Sequence, residues 1–247
     1  PVRIAPHNVQ FARRTDRLLA VGANVEKGLA HENGPHGAGG HGRPSNGALI
    51  LLDPARFATG AVATIAVGSH PAHVIADPSG RRAFVTNSGD NTVSVIDLAG
   101  RKAIAKIKTG NYPHGLRMSP DGKTIYVANV EDGTVSVIDA ASLKEINRIQ
   151  VGRAPVQVGF TPDGKKVFVS LRDENKVAVI DTATRQVTAQ IGVGRSPIQV
   201  HAVPDGRFVY VANQGTEAAP DDTVSVIDVA SSAVVKTITT GKGAHGV

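Results

Sequence analysis

The chain has 247 residues, 41% of them hydrophobic, with a net charge of +6, nine histidines, one methionine and no cysteine or tryptophan. The lack of cysteine excludes thiol nucleophiles, iron–sulfur ligation and disulfide staples, and leaves the redox compartment open. No apolar run reaches the length of a membrane-spanning helix, and the basic residues are scattered through turns with few aromatics to stack bases, which disfavours nucleic acid as a partner.

The chain is built of units of one length. Pro71, Pro113, Pro155 and Pro197 are 42 residues apart, as are Pro78, Pro120, Pro162 and Pro204 in turns of the type Pro-Asp-Gly or Pro-Ser-Gly, and the Ile-Asp pairs at 96–97, 138–139 and 180–181. A period near 40 with several short strands per unit marks a β-propeller blade. The units run roughly 6–70, 71–112, 113–154, 155–196 and 197–243 within one propeller domain, 1–247.

In the first unit Pro6 and Pro71 are 65 residues apart, so 65 − 42 = 23 are inserted, most of them in Val25–Asn46. The third unit shows the regular plan. Pro113 opens strand A, which ends at the turn Ser119-Pro120-Asp121-Gly122, where Pro presets φ and Gly supplies φ > 0. Thr124–Ala128 is a β-branched and aromatic strand B, and Thr134–Ile138 is strand C. Glu145–Val151 alternates apolar and polar residues, as a strand D solvated on one side does. From Pro197 to Ala244, which takes the Pro position, is 47 residues, so 47 − 42 = 5 are inserted near Thr216–Asp222. Both insertions fall between strands B and C.

The strings Phe84-Val-Thr-Asn87, Tyr126-Val-Ala-Asn129 and Tyr210-Val-Ala-Asn213, each followed by Thr-Val-Ser-Val-Ile-Asp, resemble the YVTN repeats of bacterial and archaeal propellers, including YncE-like proteins. The fourth unit departs, with Phe168-Val-Ser-Leu171 in place of the Asn-bearing string. The resemblance implies an all-β propeller of four-stranded antiparallel blades and an exported, periplasmic or cell-surface protein. About five blades are present. Because the chain starts at Pro1 before one strand A and stops at Val247 as another opens, they are read as a fragment of a seven-bladed ring.

The connections from strand D to the next strand A share one end of each blade with the B–C loops, called the top. They carry His7, His73, His114, Gln157, Gln199 and His245, expected to line the central channel, with His70 close by. Converging imidazoles can hold a metal, but a His after Pro can equally belong to the repeat. The insertion sets His31, His36 and His41 four residues apart among glycines, within the His-x(3–5)-His range of zinc sites and suited also to copper. His31, His36, His41, His7 and His73 are therefore the candidate metal ligands. Copper or zinc is the expected ion, ahead of haem. The top also collects Asp90, Glu131, Asp132, Asp173, Glu174, Glu217, Asp221 and Asp222, which favour a cation, opposed by Arg153, Arg195 and Lys242.

No nucleophile elbow, His-Glu-x-x-His or dinucleotide fingerprint is present. Ser94, Ser136 and Ser225 recur at one strand position, and Asp97, Asp139, Asp181 and Asp228 end strand C, so both sets are read as structural. The expected function is an extracytoplasmic binding or scaffold propeller whose top meets a protein, a small ligand or a metal. The alternatives are a metal- or haem-dependent redox propeller, resembling nitrite and nitrous-oxide reductases, and a lactonase-like hydrolase.

Overall fold

The computed structural model describes residues 4–12, 17–24, 46–55 and 60–246. Two compact units divide the chain, Pro1–Lys108 and Thr109–Val247. The first holds two sheets. One is built of β1 (Ile4–Ala12), β2 (Arg17–Asn24), β3 (Asn46–Leu52) and β4 (Ala61–Ser69), and the other of β5 (Pro71–Ala76), β6 (Arg82–Asn87), β7 (Thr92–Asp97) and β8 (Lys102–Lys108). The second holds three: β9 (Pro113–Met118) to β12 (Lys144–Gln150) through β10 (Thr124–Asn129) and β11 (Thr134–Asp139); β13 (Pro155–Phe160) to β16 (Gln186–Gly192) through β14 (Lys166–Leu171) and β15 (Lys176–Asp181); and β17 (Pro197–Ala202) to β20 (Ala233–Thr239) through β18 (Phe208–Gly215) and β19 (Pro220–Asp228).

Each sheet is an antiparallel meander in the order A-B-C-D. The middle strands B and C are apolar because both of their faces are covered. Strands β6, β7, β10 and β11 are buried almost throughout, whereas β12 is exposed at five of its seven positions, Ile146 among them, with Ile149 buried. Within each unit the A strands of neighbouring sheets lie together, β1 with β5 and β13 with both β9 and β17. The first unit's core joins Leu19, Val21 and Leu49 of one sheet to Val74, Ala83 and Val85 of the next. In the second, Tyr126 lies edge-on to Phe160 at 5.1 Å, and Phe168 packs among Val200, Val209 and Val211. Emptying any such fully buried aromatic position costs about 3–5 kcal/mol.

The Pro-Asp-Gly turns form as the sequence predicts. Gly122 has φ +73°, its N–H donates to Ser119 O at 2.8 Å, and Asp121 Oδ1 accepts from Ser119 Oγ at 2.6 Å. Strand A starts at Pro113 itself, which faces Asn129 across a register shift. Two features go beyond the periodicity. Every C–D pair carries a bulge at the same place, between Val95 and Ile96, Val137 and Ile138, Val179 and Ile180, Val226 and Ile227, and Leu51 and Leu52. The five-residue insertion lengthens a hairpin, with Gly215 facing Pro220 and Thr216 N–H donating to Ala219 O at 3.0 Å.

Candidate functional site

The top of the second, third and fifth blades is organised by one buried asparagine. Asn87 Nδ2 donates to Thr92 Oγ1 at 3.0 Å and Ser94 Oγ at 2.9 Å; Asn129 does the same to Thr134 and Ser136, and Asn213 to Thr223 and Ser225. The end of strand B is thus stitched to strand C by side chains inside the sheet stack. Asn87 Oδ1 also accepts the N–H of Gly68, near the end of β4, at 3.0 Å. Glycine is required there, because a Cβ on Gly68 would run into the side chains of Asn87 and Asp90.

The fourth blade replaces all three partners at once. Leu171 stands at the Asn position, Lys176 at the Thr and Ala178 at the Ser, as the register Leu171↔Lys176 mirrors Asn129↔Thr134. Leu171 and Ala178 are fully buried in the apolar core. A partial replacement would strand a hydroxyl or an amide in that core, at about 1–3 kcal/mol.

The D–A connections repeat as well. His70, Tyr112, Ala154 and Ser196 precede the repeat prolines with φ between 45° and 55°. Their carbonyls accept the N–H groups of Ser88, Val130, Arg172 and Gln214. The carboxylates read as cation-attracting are largely occupied here. Asp132 Oδ2 accepts Asn111 N–H at 2.7 Å, Glu174 Oε1 accepts Arg153 N–H at 2.6 Å, and Asp221 Oδ2 accepts Arg195 N–H at 2.7 Å. Asp90, one repeat before Asp132, pairs with Lys106 at 3.2 Å. Burial pushes the Asp221 carboxyl up, but the Thr223 hydroxyl and the Arg195 and Asp222 N–H groups hold it below the usual range. Carboxylates tied in this way fasten loops and are committed to that role. Their spacing at 90, 132 and 174 was the available signal. Glu131, Asp173, Glu217 and Asp222 remain exposed.

The histidines and glutamines are spread over both units. In the first, His7 lies on β1, and His73 is buried on β5, where its N–H donates to Thr86 Oγ1 at 2.9 Å. In the second, His114 Nδ1 lies 3.2 Å from Val156 O of the adjoining A strand, as its donor. Gln157 is fully buried, donating from Nε2 to Gln199 Oε1 at 3.3 Å and accepting from Val158 N–H at 3.1 Å. Ser170 Oγ accepts Gln157 N–H and donates to Ile198 O at 2.8 Å, whereas Thr86, two repeats earlier, accepts His73 N–H and donates back to His73 O. His245 is exposed beyond β20. His114 sits directly after its proline, whereas His73, Gln157 and Gln199 sit one residue further on, so these side chains occupy two different positions of the repeat. His31, His36 and His41 lie outside the described residues. Among the described residues no three His, Cys, Asp or Glu side chains are grouped to hold a metal ion, and no helix is long and apolar enough to cross a membrane.

Residues 55–165 match the family model described as YNCE-like beta-propeller. No curated protein matches the chain in sequence. A chain of Kuenenia stuttgartiensis hydrazine synthase shares its fold, with a TM-score of 0.72 and 23% identity, over 90% of this chain. The matched region spans 62% of the synthase chain, and at that identity the likeness is one of fold.

Proposed function

As residues 55–165 match the YNCE-like β-propeller family model, we propose that the chain is an extracytoplasmic binding and scaffold module that offers the top of its blades to a ligand or protein partner. One observation carries this reading. The hydroxyls, amides and carboxylates that recur at the top hold strands and connections together, as Asn129 holds Thr134 and Ser136 and as Asp132 holds Asn111. Side chains that depart from the repeat are then left to do the recognising. The most distinctive of these are His31, His36 and His41, in the segment that joins β2 to β3 at the top of the first blade.

The ligand proposed for them is a divalent copper or zinc ion, with His7 and His73 as further candidate ligands. The test is metal content after loading with Cu(II) or Zn(II) and desalting, comparing wild type with His31→Ala/His36→Ala/His41→Ala. Near-stoichiometric metal in the wild type and loss of it in the triple variant support the proposal. No retained metal after either loading sinks it.

A further inference from the structure

The lower end of the first unit, where β2 begins and β3 and β7 end, carries a further feature. Strand C ends on Asp97, Asp139, Asp181 and Asp228 in four blades. In the first blade the register Leu18↔Leu52 matches Ala83↔Ile96, so Leu51 stands at the Val95 position and Asp53 at the Asp97 position. A cleft opens at this point between the two sheets, lined by Arg17, Leu51, Val62, Arg81, Leu98 and Arg101. Its floor is apolar, with Leu51 and Leu98 buried. Leu98 is larger than its repeat counterparts Ala140, Thr182 and Val229.

Three guanidinium groups border this floor. Arg17 is paired with Asp53 at 2.9 Å. The nearby Asp77 is committed elsewhere: it accepts from Ser79 Oγ and the Arg81 N–H through Oδ1 and pairs with Arg82 through Oδ2. Asp97 is turned to the Ala99 N–H. Among the described residues no carboxylate lies within ion-pair distance of the Arg81 or Arg101 side chain. The cleft therefore combines two uncompensated fork-shaped donors with a desolvated aliphatic floor, a match for a planar or tetrahedral oxyanion on a short hydrocarbon stem.

We propose that this cleft binds a small amphiphilic organic anion, an alkyl carboxylate or alkyl phosphate, with Arg81 and Arg101 taking the head group and Leu51, Val62 and Leu98 the stem. The test is calorimetric titration of the whole chain with octanoate, octyl phosphate, octanol and inorganic phosphate. Both octyl anions are expected to bind, with octanol and inorganic phosphate each at least about tenfold weaker. Whichever octyl anion binds tighter identifies the head group. Arg81→Gln/Arg101→Gln is expected to weaken both octyl anions by about tenfold or more. Both side chains are exposed, so the thermal midpoint should stay at the wild-type value. Octanol binding as well as octanoate, inorganic phosphate binding as well as octyl phosphate, unchanged affinity in the double variant, or no binding of either octyl anion at millimolar concentration would each overturn the proposal.

Discussion

Asn129 and Ser136 are joined by a 2.9 Å hydrogen bond with neither residue open to solvent, and 42 residues later Leu171 and Ala178 fill the same two places. The second to fifth blades thus contain two solutions to one packing problem, one polar and one apolar. The polar one already holds Asn129 Oδ1 buried without a hydrogen-bond partner, and mixtures of the two add further unmet groups.

That exclusivity can be measured. Asn129→Leu alone leaves the hydroxyls of Thr134 and Ser136 without their amide donor and should lower unfolding stability by about 2–4 kcal/mol in urea titrations. Adding Thr134→Lys and Ser136→Ala copies the fourth blade and should recover more than half of that loss. A triple variant no more stable than the single would show that the three positions do not act as a set.

Asp139, Asp181 and Asp228 predict a response to acid. The Ser142 hydroxyl and N–H hold the Asp139 carboxyl below its ordinary range, and the Thr184 and Ser231 N–H and hydroxyl groups do the same for Asp181 and Asp228. Groups with depressed folded-state pKa values stabilise fully above the unfolded carboxylate value of about 3.9 and lose that contribution as pH falls through their lowered values. Urea midpoints should therefore hold from pH 7 to about 5 and decline below about 4. Replacing all three with Asn should flatten this decline while lowering the neutral-pH midpoint. An unaltered acid slope in the triple variant would refute the assignment.

Arg117 makes a contrasting case. It sits half-buried on β9, its NH1 donates to Leu116 O at 3.1 Å, and no carboxylate pairs with it among the described residues. Burial pulls its pKa down. A cation desolvated without a carboxylate beside it opposes folding, so Arg117→Met should be neutral or stabilising by about 1 kcal/mol in thermal or urea unfolding. A loss above about 2 kcal/mol would mean that the bond to Leu116 O outweighs the cost of burying the guanidinium.

The architecture was legible because the repeat writes each element several times. Pro71 to Pro197 fixed the step, and Pro120-Asp121-Gly122 and Asp139 marked turns whose hydrogen bonds are local in sequence. The C–D bulges were not legible, since residues such as Ile146 read the same whether paired or skipped. The site was harder. Asp132 looks like a free carboxylate in sequence, and its bond to Asn111 spans 21 residues. The arginine cleft draws on five separate segments, from Arg17 to Arg101, and no spacing rule brings them together. Reading His114 with Gln157 and Gln199 merged two repeat positions, because all three follow a proline closely.

The concerted exchange in the fourth blade also bears on how the chain finds its pairing. Thr-Val-Ser-Val-Ile-Asp occurs three times, at β7, β11 and within β19, so any of these could meet the wrong asparagine hairpin during collapse at no cost to the clamp. Strand β15 cannot, because an Asn set against Lys176 and Ala178 finds no hydroxyl, and Leu171 set against a Thr-Ser pair buries two of them unmet. One blade that refuses to interchange with its neighbours gives a tandem array a fixed point from which the others count their places.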